Sequence, residues 1–252
     1  VAFGLEQIHW QAPWLAPYAS VGQNLAQQAV ELGSVAQALN QGTAPVRFVP
    51  QAQLPGGMAY EAFIFAQRQC PTRDGLHDFF NGLVWWHLPR TKQLLNQWQA
   101  ADIAQQGVGR HRGPLRDALT LFDENVALLA CPDLLWQALE RRDWQALFVE
   151  HRPLWANAQL RLFGHALMEK LVAPRKGMCA HVLRLHRHFL DFSDLDELLC
   201  DQLSPQGLAE KPYQPLPVLG VPGWWSGNET SGFYEDAQVF RPHRSFTARN
   251  GL

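Results

Sequence analysis

In the stretch Cys70-Pro-Thr-Arg73-Asp74-Gly-Leu-His77-Asp78-Phe-Phe-Asn81, polar groups run directly into the apolar sequel Phe79 to Pro89. Groups drawn inside with such a sequel are either costly or useful. An imidazole next to a carboxylate, His77 with Asp78, supplies a metal ligand or a general base with its orienting partner. Asn81, four residues beyond His77, shares its helix face. The structural reading is simpler: Asp74 caps a helix, Asp78 answers the positive helix start, and Asn81 satisfies a backbone group.

Two further carboxylate clusters carry the same chemistry. Within Arg116-Asp-Ala-Leu-Thr-Leu-Phe-Asp123-Glu124, Asp123 falls among Leu119, Phe122 and Val126 on the apolar stripe, so it must find a partner or shift its pKa. A salt bridge to an arginine would satisfy it as well as catalysis would. In Phe163-Gly-His165-Ala-Leu-Met-Glu169, the histidine and glutamate stand at i and i+4, which helix geometry brings together. The second histidine of an HExxH motif is absent, and a mutually satisfied pair is the plainer explanation. If the helices converge, His77, Asp123, His165 and Glu169 form a divalent-metal site, with His77, Asp123, Glu124 and His165 as the catalytic groups. Arg73, Arg112, Arg116 and Asn81 are the candidates for holding an anionic substrate, although arginines on loops are more often simply solvated.

The elements that must position these groups read as helices. Val21 to Leu39 is a probable amphipathic helix, Tyr60 to Gln69 a second ended by Cys70-Pro71, and Gly75 to Leu88 a third closed by Pro89. Gly113-Pro114 opens a helix expected to reach Leu129. Others follow from Pro132 to Arg142, over Trp144 to Val149, over Leu154 to Val172 as a buried central helix, over Met178 to Phe192 and over Asp194 to Leu203. Residues 211–225 are rich in proline yet too apolar for a disordered linker, which predicts an extended strap across the helices. The expected architecture is mainly α: a single-domain helical bundle with a Pro/Trp-rich C-terminal strap. A covering segment over residues 1–57 packs on a helical domain over 58–252, forming one globular unit.

Composition limits the options. With 252 residues, 47% hydrophobic, the chain can bury one substantial core. A net charge of -2 gives no global field for nucleic acid. Cys70, Cys131, Cys179 and Cys200 are too far apart in sequence for a zinc pair or a dense disulfide framework, which suggests free thiols in a reducing cytoplasm. No apolar run approaches the ~20 residues of a membrane span.

The blocks Pro71 to Trp85, Arg116 to Glu124, Phe163 to Glu169 and Leu216-Pro-Val-Leu-Gly-Val-Pro-Gly-Trp224 together resemble an uncharacterised bacterial family, domain of unknown function 3025, found largely in proteobacteria. The resemblance covers about residues 55 to 243. It implies a bacterial, cytoplasmic protein and brings no activity or cofactor. The functional expectation therefore rests on the residues: a hydrolase acting on an anionic small molecule or phosphoester, with a divalent metal as the candidate cofactor. The alternative is a non-catalytic ligand- or protein-binding module in which the same polar groups are structural.

Overall fold

The structure is a computed structural model, and it describes residues 3–42, 44–107 and 113–242. Helices and strands alternate along it. In order they are α1 (Ala19–Leu32), α2 (Val35–Leu39), β1 (Arg47–Pro50), α3 (Tyr60–Gln67), β2 (Gln69–Thr72), α4 (Leu76–His87), α5 (Pro89–Gln106) and α6 (Pro114–Asn125). After these come β3 (Val126–Ala130), α7 (Asp133–Arg141), β4 (Gln159–Leu162), α8 (His165–Lys170), β5 (Cys179–Arg184), α9 (Phe192–Gln202), α10 (Pro205–Ala209) and β6 (Tyr213–Pro217).

The all-helical expectation is overturned, because the described residues hold two sheets. β1 and β2 form a parallel pair, and four strands make a mixed sheet in the order β4-β3-β5-β6. The helix expected through Leu129 stops at Asn125, and the chain continues as β3, whose five residues are all buried. A fully buried apolar strand lacks the alternation that betrays a half-buried one, so Val-Ala-Leu-Leu-Ala is indistinguishable from a helix face by periodicity. The expected central helix over Leu154 to Val172 is broken into a 3₁₀ turn, β4 and α8. Met178 to Phe192 begins as β5, parallel to β3 and antiparallel to β6. The proline-rich strap is partly a strand: Tyr213–Pro217 pairs with β5 at the sheet edge, the place in a sheet where proline is tolerated.

The helix α5 has no counterpart in the sequence reading. Its 18 residues carry buried polar groups, Lys92, Asn96, Gln99 and Asp102, among Leu95 and Ile103, which blurs the apolar stripe. Pro89, read there as a stop, stands at the start of α5, where its missing N–H costs nothing.

One hydrophobic cluster takes in residues from Phe3 to Phe240. α4 lies at its centre, with Phe79, Phe80, Leu83, Val84 and Trp85 almost fully buried. Gly82 lets α2 come down on α4: a Cβ there would stand 2.3 Å from a Leu39 methyl. Asp74 caps α2, not α4, its carboxylate accepting the Val35 N–H at 2.8 Å. Among the described residues no helix is long and apolar enough to cross a membrane.

Candidate functional site

The mixed sheet brings the chemistry together. α6 runs without a loop into β3, so Asp123 and Glu124 stand at the β3 entrance. β4 is antiparallel to β3, with Leu162 opposite Ala127, so the chain leaving β4 arrives at that same entrance. There the Val126 carbonyl accepts the N–H groups of Phe163 and Gly164, at 3.0 and 2.8 Å. A Cβ on Gly164 would lie 2.5 Å from the Asn125 nitrogen and the Glu124 carbonyl, so only glycine permits this approach. The next residue is His165, the first of α8. α4 supplies His77 from its first turn.

The result is a compact set of donors. His77 Nε2 and His165 Nε2 are 3.2 Å apart, and Glu124 Oε2 is 3.5 Å from His165 Nε2. The ligand atoms of His77, Glu124 and His165 all lie within 4.8 Å of one another. Two ligands held ~2.1 Å from one ion are about 3.0 Å apart at right angles and about 3.4 Å apart in a tetrahedron, so the two measured separations match donors sharing an ion.

Each imidazole has a carboxylate behind it. His77 Nδ1 is 2.8 Å from Glu169 Oε2. This fixes the proton on Nδ1 and turns the Nε2 lone pair toward the cluster. His165 Nδ1 is buried without a hydrogen-bond partner, and Asp123 Oδ1 is 3.9 Å away. Without a cation, one of the two facing Nε2 atoms must carry a proton to bond the other. If that is His165, its Nδ1 lone pair is left against a carboxylate. A cation at the cluster reverses this tautomer: both Nε2 lone pairs face the ion, and the His165 Nδ1–H faces Asp123.

Electrostatics agree with a cation-seeking site. Burial pushes His165 down to about 4, so it is a neutral ligand at ordinary pH. Burial, with the adjacent Asp123 carboxylate, raises Glu124 above its usual value. For Asp123 burial acts upward, but the Lys92 ammonium and the neighbouring histidines outweigh it and hold the acid below its usual range.

Lys92 is the residue missed in the sequence. It is 5% exposed and donates to Asp123 Oδ1 at 2.5 Å and to Asn81 Oδ1 at 2.8 Å. Asn81 in turn donates to the Tyr60 hydroxyl, 3.2 Å away, which meets Cys70 Sγ at 3.1 Å. The available signal was the spacing Leu88, Lys92, Leu95, which puts a lysine on an apolar helix face. Burial pushes the Cys70 thiol up to about 11, so it is no thiolate nucleophile at neutral pH.

The other sequence candidates fall in different places. Arg73 lines the cavity, but its guanidinium holds both Asp78 oxygens at 3.0 Å. Arg116 turns away, with Asp102 at 4.0 Å and the Gly107 carbonyl at 3.4 Å. Arg112 lies outside the described residues. Glu169 buttresses His77 from behind, and Asp123 is held by Lys92, so neither belongs to the converging triad.

His77, Glu124 and His165 open into a cavity of about 260 Å³ shared with Tyr60, Glu61 and Asn81. A larger cavity, about 580 Å³, lies at the carboxyl ends of β3 and β5 beside Arg184, His186 and Arg187. Its guanidinium groups are tied to Asp133 and Asp194. Among the described residues the only His/Cys/Asp/Glu group with metal-ligand spacing is the triad, and it lines the smaller cavity.

The fold and cluster define a mixed α/β protein with two facing histidines, one of them buttressed by a carboxylate, lining a small cavity. Residues 46–244 match the family model described as protein of unknown function (DUF3025), and the chain belongs to that family. No curated protein and no solved structure matches it significantly.

Proposed function

We propose that the protein is a divalent-metal-dependent hydrolase, with His77, His165 and Glu124 holding the ion. The observation that carries this reading is the 3.2 Å approach of two Nε2 atoms to each other, one imidazole buttressed by Glu169 and the other facing Asp123. Two histidines and a carboxylate suit zinc or another first-row divalent ion. Such an ion supplies Lewis acidity, lowering the pKa of a water and polarising a substrate oxygen.

The chain's own groups do the rest. Glu169 and Asp123 orient the imidazoles, Lys92 holds Asp123, and the Asn81 side chain and Tyr60 hydroxyl give the cavity polar contacts for a substrate. Of the arginines behind the expectation of an anionic or phosphoester substrate, Arg73 lines the cavity but is clasped by Asp78, Arg116 is turned to Asp102, and Arg112 lies outside the described residues. The four cysteines form no disulfide, which supports placing the protein in the reducing cytoplasm.

The test is metal content of the purified protein with thermal shifts on adding Zn²⁺, Mn²⁺ or Co²⁺ after chelation. Stoichiometric metal that is lost in His77→Ala and His165→Ala supports the proposal. An absence of both bound metal and any metal-dependent shift refutes it and leaves the polar cluster as structure.

A further inference from the structure

Two of the carboxylates that line the cavity are paired with cations, and a third belongs to the triad. Arg73 neutralises Asp78, and Lys92 neutralises Asp123 behind the wall. Glu124 faces the two histidines. The remaining carboxylate is Glu61, in the first turn of α3, which lines the same cavity and is half-buried. Among the described residues its side chain has no ion-pair or hydrogen-bond partner. The helix dipole accounts for a carboxylate in a first turn, but it does not require that carboxylate to line the cavity that holds the triad. The remaining polar wall is neutral, with Gln51, Tyr60, Asn81 and Gln99.

We infer that the substrate is a small carbonyl compound carrying an ammonium group, and that Glu61 receives the ammonium. This rests on the metal-site reading given above. A second anionic group on the ligand, beyond the one that reaches the ion, would meet Glu61 with no free guanidinium or lysine among the described residues to offset the repulsion. An ammonium at that place forms a charge-assisted bond with Glu61. The cavity of about 260 Å³ is at the small end of ligand sites, which suits a small ligand.

The probes are glycine hydroxamate, acetohydroxamate and phosphonoacetohydroxamate. Each has a metal-chelating hydroxamate, and they carry an amine, no charged group and an anion respectively. Calorimetry on the metal-loaded wild-type chain should show glycine hydroxamate binding about tenfold or more tighter than acetohydroxamate, and phosphonoacetohydroxamate weakest. In Glu61→Gln, the first two should bind about equally. The inference is overturned if the anionic probe binds best, if the amine confers no gain, if the gain survives Glu61→Gln, or if a metal-loaded protein binds none of the three. A chain that takes up no metal refutes the metal-site reading, and this one with it.

Discussion

Replacing Lys92 with methionine keeps the length and most of the volume of the side chain while removing its charge. In the native chain the ammonium is 5% exposed and bonds Asp123 and Asn81, and Asp123 keeps 22% of its side chain accessible. Removing one partner of a buried ion pair costs ~3–5 kcal/mol, and orphaning a buried acceptor such as Asn81 Oδ1 costs ~1–3 kcal/mol. The two losses overlap, and residual solvation of Asp123 relieves part of the first, so Lys92→Met should destabilise the metal-free protein by about 3 kcal/mol at pH 7. Urea denaturation reads this directly. With a slope of ~2–3 kcal/mol/M the midpoint falls by about 1 M.

The pH dependence provides a sharper check. In the native chain, where Lys92 and the histidines outweigh burial, Asp123 lies below its ordinary value, and its contribution is lost as pH falls through the carboxylate range. In the variant burial acts without Lys92 and moves Asp123 upward, so protonation favours the folded state at acid pH. The difference between the two proteins should therefore shrink from pH 7 toward pH 4. A loss under about 1 kcal/mol that does not change with pH would sink the argument that Lys92 compensates a buried acid. A double-mutant cycle with Asp123→Asn should give a coupling of about 2 kcal/mol or more, and a coupling near zero would have the same consequence.

Other expectations follow from particular contacts. Glu169→Gln keeps a hydrogen-bond acceptor for His77 but weakens its basicity, and competition with a chelator should show metal affinity reduced by about 10–100-fold with little change in stability. Gly164→Ala forces a Cβ to 2.5 Å from backbone atoms of Asn125 and Glu124, so it should cost at least about 2 kcal/mol in urea denaturation and reduce metal uptake. Wild-type metal affinity in that variant would contradict the close approach at the β3 entrance. His87 packs on Phe192 and Tyr18 with its Nε2 buried and unpartnered, and burial, helped by Arg161, pushes it down to about 4. The unfolded chain takes up that proton first, so this stability is intact above about pH 6.5 and is lost on the way down to about pH 4, by on the order of 3 kcal/mol. His87→Phe should flatten the acid loss measured between pH 7 and 4.5, and an unchanged slope would place the titration elsewhere.

The helices with distinct ends were legible in the sequence. α3, α4, α7 and α9 carry stop residues, caps or strong apolar faces, and they lie close to where those signals put them. The strands of the mixed sheet were not legible as strands. β3 is apolar throughout, β5 lies in a stretch that reads as helical, and β6 is rich in proline; each becomes a strand only because another strand lies beside it. Likewise α5 was hidden because its buried face carries Lys92, Asn96 and Gln99; Lys92 and Asn96 are tolerated inside only once Asp123, Asn81 and the Glu61 carbonyl are placed to meet them.

Local composition by itself determined which residue types were available for chemistry. His77, Asp123 and His165 stand out because each interrupts or borders an apolar stretch, where an ionisable group needs a reason to be, whereas Glu124 falls on the polar face with Asp117 and Thr120. Their division of labour was decided only by the tertiary structure. Asp123 and Glu124 are neighbours in sequence, yet one is held by Lys92 from α5 and the other faces two histidines from α4 and α8. Electrostatic roles depend on distances of a few ångströms between segments far apart in the chain, and those distances are set here by the register of β3 with β4 and by the missing side chain of Gly164.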